Sequence, residues 1–229
     1  MDKVQAYGTF KKVGGHIFRT EARLKWGNSN KKLGLIIMLN PGSSKLLEEQ
    51  AWNTFVDSDQ DSVQINGKLL LDPTMRSVVR ILEHSFGNLE GELIIQNLFN
   101  LRDSDLSSAL DKYKQFFVSR KTSELNSNFP SLINPRYRDV LHTDIDNNYI
   151  NLFPWVWLAW TVKDVVLLNA RRELILNAIP ENKIVFKIPK RNASQKRRKE
   201  LFTYHPNPQK QTDRDRYFKE IVTQMRKGS

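Results

Sequence analysis

The sequence predicts an α/β sandwich with a parallel central sheet. Short, continuous apolar runs stand at about 34–39, 93–98, 163–169 and 183–188. Runs of that length and composition fit strands covered on both faces. Amphipathic segments of helical period alternate with them, which is the pattern of strand and crossover helix. The chain has 229 residues, 39% of them hydrophobic, enough for one domain, 1–229, with a full core.

The first run, Leu33-Gly-Leu-Ile-Ile-Met38, ends in Leu39-Asn40-Pro41-Gly42. Pro fixes φ and Gly accepts a positive φ, so a tight turn follows the strand. The turn sets Asn40 at the carboxyl end of the strand, where open α/β sheets bind ligands. Asp72-Pro73 reads as a helix start with Pro at the first helical position, and residues 74–84 carry apolar side chains at 75, 78, 79, 81 and 82. A second helix is predicted over 107–119, with Leu110, Tyr113, Phe116 and Phe117 on one stripe. A third runs over 169–178, ended by Pro180, and a fourth, basic and amphipathic, over 213–227. The stretch up to Trp26 is expected to form an extra strand pair. Two polar stretches, about 45–71 and 121–151, are long for connections in a compact domain and read as insertions or functional loops.

Charge is unevenly placed. The net value is +11, and from Lys187 onward 13 Lys and Arg face 4 Asp and Glu, so the first four-fifths of the chain is nearly neutral. The basic region 187–227 is expected to attract a polyanion, nucleic acid first; a solvated tail is the plain alternative. There is no Cys, which excludes disulfides, thiolate metal sites, iron–sulfur clusters and a Cys nucleophile. The N-terminus lacks the apolar segment of a signal peptide, and the most apolar window, 152–168, is broken by Pro154, Lys163 and Asp164. A cytoplasmic protein without a membrane span is therefore expected. The four His are scattered, and Asp57, Asp59 and Asp61 lack the Gly and Glu of a calcium loop, so no metal site is expected.

A second Pro-punctuated element, His205-Pro-Asn-Pro208, stands far downstream. Leu33 to Gly42 resembles the first active-site motif of the uracil-DNA glycosylase superfamily, in the form Gly-x-Asn-Pro-Gly of its mismatch-specific branch. His205-Pro-Asn-Pro-Gln209 resembles the second motif, His-Pro-Ser-Pro. Ile94-Ile-Gln-Asn97 resembles the strand ending in an Asn that contacts the flipped base. Residues 156–188 resemble the strand–helix–strand passage before the His motif. Met38-Leu-Asn-Pro41, Leu71-Asp-Pro-Thr74 and Asn97-Leu-Phe-Asn-Leu-Arg102 also look like a bacterial and phage family of unknown function, itself similar to that superfamily. Each motif alone is an ordinary turn or loop; the ordered set carries the likeness.

The resemblance implies a three-layer α/β/α sandwich with a central, mainly parallel four-stranded sheet and loop insertions. It implies a monomeric DNA glycosylase, free of metal and cofactor, that extrudes a nucleotide and cleaves its base from C1′, leaving an abasic site. Asn40 would hold the attacking water; an amide cannot serve as a strong base. His205 would donate to the departing base, in a protonation state the sequence leaves open. Pro41, Gly42, Ser43, Asn97, Phe99 and Gln209 would contact the substrate. Asn97 would read the base edge, and Gln209 stands where the family inserts a wedge. Lys196, Arg197, Arg198, Lys199 and Lys210 would contact phosphates. Gly42 replaces the Tyr that excludes C5-substituted bases in the stringent enzymes, which favours a C5-modified pyrimidine, for example a hypermodified phage cytosine, and a role in phage defence. Trp52, Phe55, Phe99 and Phe153 are candidates to stack on the base, with core packing as the ordinary alternative for each. The other readings are a non-catalytic nucleic-acid-binding module on the same fold, and a hydrolase of free nucleosides or nucleotides.

Overall fold

Two glycines turn the N-terminal stretch into a hairpin. Gly14 and Gly15 have φ of 59° and 74°, the left-handed conformation that a two-residue turn between twisted strands requires. They join β1 (Val4–Val13) to β2 (His16–Trp26). The computed structural model describes residues 4–118, 129–161, 163–189 and 201–228. The remaining strands are β3 (Lys32–Met38), β4 (Val63–Lys68), β5 (Gly91–Asn97), β6 (Trp155–Leu158) and β7 (Ile184–Lys187). The helices among the described residues are α1 (Glu49–Asp57), α2 (Pro73–Phe86), α3 (Leu106–Gln115), α4 (Arg138–Leu141), α5 (Asn147–Asn151), α6 (Val166–Ala178) and α7 (Gln211–Lys227).

All seven strands form one mixed sheet in the order β4-β1-β2-β5-β3-β6-β7. β5, β3, β6 and β7 run parallel, while β4, β1 and β2 extend the sheet antiparallel. This corrects the expected four-stranded sheet. The hairpin docks β2 beside β5, and the supposed 45–71 insertion supplies both α1 and the edge strand β4. It is part of the sheet rather than a loop laid over it.

The strand expected at 163–169 is also corrected. The strand is β6, whose four residues are all buried, and residues from Val166 onward begin α6. Both lie inside one apolar stretch, and a short apolar run does not by itself separate strand from helix. Exposure separates them here: Val166 is 52% exposed, whereas Leu168 and Ile175 are fully buried, as on one face of a helix.

Alternation along β3 divides the core. Leu35 and Ile37 pack with Phe99 and Tyr113, Leu158 and the α6 residues Leu168 and Ile175. Ile36 and Met38 pack with Met75 and Ile81 of α2, Trp157, and Tyr217 and Ile221 of α7. Successive residues of a strand point to opposite faces, so each face of the sheet carries its own core. α2 begins as its sequence predicts: Asp72 caps it by accepting from the Met75 N–H at 2.8 Å, and Pro73 occupies the first turn. α7 packs on α2, with the Arg80 guanidinium 4.5 Å from the Phe218 ring and Arg226 Nη2 donating to the His84 carbonyl at 2.6 Å. No helix among the described residues is long and apolar enough to cross a membrane.

Candidate active site

A cavity of about 840 Å³ opens at the carboxyl end of β3. Its wall combines residues 38–43, residues 72–74 at the start of α2, residues 103–107 at the start of α3, Trp160, Thr161 and Lys163 after β6, and Tyr204, His205 and residues 207–210 leading into α7. Three helix N-termini therefore converge on one space, and the carboxylates of Asp72, Asp103, Asp105 and Asp213 line it with them. Asn40 and His205, 165 positions apart in the chain, share this wall. A larger groove of about 1400 Å³ lies among residues of β1, β2 and the 68–71 segment, and neither Asn40 nor His205 lines it.

The segment after β5 fixes Asn40. Residues 100–103 run on between two partners. On one side the Arg19 N–H donates to the Asn100 carbonyl and the Arg102 N–H to the Ile17 carbonyl, both within 2.9 Å. On the other, Asn40 Nδ2 donates to the Asp103 carbonyl at 2.9 Å and to the Leu101 carbonyl at 3.5 Å. Both amide donors are thereby directed at the backbone. Oδ1 accepts no hydrogen bond among the described residues, and it is the atom left to accept one from a water or a ligand.

Asp103 supports this from behind. Its carboxylate accepts from Lys112 Nζ and Ser108 Oγ, both at 2.7 Å, and from the Asp105 N–H at 3.0 Å. Burial pushes its pKa up, but those hydrogen bonds and the Lys112 charge outweigh it and hold the carboxyl below the usual range. With its oxygens occupied and its basicity low, Asp103 is a brace for the Asn40 anchor and a poor proton acceptor. Asp72 and Asp105 are likewise used as helix caps.

The turn after Asn40 is held as firmly. Gly42 has φ of 62°, and a Cβ placed there would meet nothing within 4 Å. The glycine is needed for the backbone conformation, and the space beside it is open. Arg102 Nε donates to the Ser44 carbonyl at 2.5 Å and Nη2 to the Ser43 carbonyl at 3.1 Å, with the guanidinium 5.0 Å from the Trp52 ring. On the opposite wall Arg172, fully buried, donates to the carbonyls of Thr161 and Lys163 and to Asn169 Oδ1. It ties α6 to the loop that lines the cavity.

His205 is enclosed but still reaches the cavity. The Asn207 N–H donates to its Nδ1 at 3.3 Å. An N–H directed at Nδ1 requires a lone pair there, which places the single proton of the neutral ring on Nε2. Burial lowers its pKa, more than the negative charge of Asp72 raises it, so the neutral form prevails at neutral pH. His205 thus offers one N–H donor.

Pro41, Gly42, Ser43, Gln209 and Lys210 line the cavity with Asn40 and His205. Asn97 and Phe99 do not. Asn97 is 2% exposed at the end of β5, between β2 and β3, with Oδ1 unpaired. Phe99 is stacked on Tyr113 with ring centroids 4.5 Å apart in the core. Continuing the β5 line, both are covered by the packing of neighbouring elements. Trp52 and Phe55 pack together beside Phe10, and Phe153 packs on Tyr149. The aromatic rings that do border the cavity are Trp160 and Tyr204. Lys196, Arg197, Arg198 and Lys199 lie outside the described residues. No group of three or more His, Asp or Glu suited to hold a metal ion occurs among the described residues.

Arg19, Asp103 and Arg172 have no mark in the sequence that separates them from other charged residues, and Arg102 has only a weak one, its place in the Asn97–Arg102 pattern. Comparison with known protein families, curated proteins and solved structures found no match to this chain.

Proposed function

We propose that the protein is a monofunctional DNA glycosylase that hydrolyses the N-glycosidic bond of a flipped, C5-modified pyrimidine. The observation that carries this reading is the meeting of Asn40 and His205 on one cavity wall, each with one polar atom available to a ligand. Asn40 Oδ1 accepts a hydrogen bond from a water placed beneath C1′. As the bond from C1′ to the base breaks, its electron pair leaves with the base, and the His205 Nε2–H stabilises the charge that develops on the base oxygen. Water adds to the sugar cation and then gives its proton to solvent or the departing base, because the amide takes none.

The space beside Gly42 suits a substituent at C5, and a hypermodified phage cytosine, excised in phage defence, is the substrate class this favours. The reading carries with it a three-layer α/β/α arrangement, supported by a core on each face of the sheet. It also implies action as a monomer without metal or cofactor. The test is incubation of the protein with DNAs bearing different natural modifications, followed by mass spectrometry of any liberated base. Release of a modified pyrimidine, lost in Asn40→Ala and in His205→Ala, is expected. Full activity in both variants overturns the site, and tight DNA binding with no base released from any substrate gives the non-catalytic binding module instead.

A further inference from the structure

Among the described residues three arginines are buried, and two of them donate to protein oxygens through their terminal nitrogens, leaving only Nε unpaired. Arg171 donates to the Thr143 carbonyl at 2.5 Å, and Arg172 to three oxygens at 2.8–3.0 Å. The third, Arg19, is 1% exposed, and its Nε, Nη1 and Nη2 have no hydrogen-bond partner. A buried cation without partners is strongly disfavoured, and native proteins keep one only where something else supplies the missing acceptors. Arg19 lies on the wall of the Asn40–His205 cavity, beside residues 72–74 at the N-terminus of α2. Its backbone is tied to Asn100, on the opposite edge of the same short segment that anchors Asn40. The cavity thus has two polar positions on either side of the 100–103 segment: an amide oxygen at Asn40 and a planar fork of donors at Arg19.

We propose that Arg19 is the anchor of a phosphate-binding subsite in this cavity. A guanidinium offers parallel N–H groups that match two oxygens of a phosphate; the first turn of α2 faces the same space, but the Asp72 cap already answers its dipole, so the fork itself carries the recognition. The negative charge of Asp72 acts on Arg19, but its Oδ1 is engaged by the Met75 N–H and it makes no hydrogen bond to the guanidinium. The positive charge of Arg102 also acts on Arg19. Burial draws the Arg19 pKa down to about 10, so it remains charged at neutral pH. A phosphate of a nucleic-acid backbone, of a mononucleotide or free in solution would be held in the same way. The choice of a backbone phosphate as the natural source rests on the glycosylase reading; the subsite itself does not.

The test is thermal unfolding and calorimetric titration of the full chain with inorganic phosphate, thymidine 5′-monophosphate and a short single-stranded oligonucleotide, at constant ionic strength with chloride as the control. The parent protein is expected to gain stability with at least one phosphate-bearing probe and none with chloride. Arg19→Met should melt at a higher temperature than the parent without ligand, because an unpaired buried charge is removed, and should lose the phosphate response. Arg19→Lys, which keeps the charge but not the fork, should bind phosphate at least tenfold more weakly. Failure of every phosphate probe to bind the parent, an unchanged response in both variants, or an unliganded Arg19→Met less stable than the parent would overturn the proposal. Binding of inorganic phosphate or mononucleotide but not of oligonucleotide would uphold the subsite and overturn the DNA reading.

Discussion

Asn40→Asp is the informative substitution at the centre of the site. From chemistry alone a carboxylate should improve the proposed hydrolysis, since it can take a proton from water where an amide cannot. The structure gives the opposite expectation. Asn40 Nδ2 donates to the Asp103 carbonyl at 2.9 Å and reaches the Leu101 carbonyl at 3.5 Å. A carboxylate in the same place would set an oxygen against two carbonyl oxygens. Loss of the shorter bond removes about 1 kcal/mol, and the unsatisfied carbonyls with their repulsion add about 1–3 kcal/mol, so a loss of roughly 2–4 kcal/mol is expected. For a domain of this size that corresponds to a fall in melting temperature of about 4–16 °C. The assay is thermal and urea unfolding of parent and variant at neutral pH, alongside base release from the modified substrate. The deficit should shrink as the pH falls into the carboxyl range, because the protonated acid regains one O–H donor. A variant as stable as the parent and at least as active at neutral pH would refute the anchoring role of the two carbonyls.

Two more outcomes are expected. Burial holds His142 well below its ordinary value, with the positive charge of Arg171 adding to the effect, and it holds His205 below its ordinary value too. The unfolded chain therefore takes up protons near pH 6.5 while the native protein resists them; stability should be full above about pH 6.5 and decline below it. Urea unfolding from pH 7.5 to 5 checks the sign; under the proposed glycosylase function, base release should also fall on the acid side as His205 gains its second proton and the Asn207 contact is lost. Gly42→Ala should cost about 1–2 kcal/mol through the left-handed backbone alone, since a Cβ at that position meets open space. An unfolding measurement showing no loss would mean that the turn does not hold the φ of 62° in solution.

Much of the scaffold was legible in the chain because it depends on local chemistry. The apolar runs at 34–39, 93–98 and 183–188 are strands, and Asp72-Pro73 starts a helix, since period and capping act within a few residues. The run at 163–169 misled because strand and helix both accept a short apolar stretch, and only the burial of β6 and the half-exposed face of α6 decide between them. The 45–71 stretch misled for another reason. β4 alternates half-buried and exposed residues, the pattern of an edge strand, and it becomes a strand only because β1 lies beside it.

The sequence by itself determined the chemical character of the candidate site: an amide after one strand with Pro and Gly to turn the chain, and an imidazole before the last helix with two Pro beside it. Only the tertiary structure decided which atoms of those groups are free. Asn97 and Phe99, plausible by pattern, are buried by their neighbours, whereas Arg19, one of 36 basic residues, is left without partners on the cavity wall. A residue's type sets what it can donate or accept. Whether that capacity is already consumed depends on neighbours: the Asn207 N–H that occupies His205 Nδ1 is local, but the carbonyls that hold Asn40 come from residues 101 and 103, and only the packing of the fold leaves the Arg19 fork unpaired.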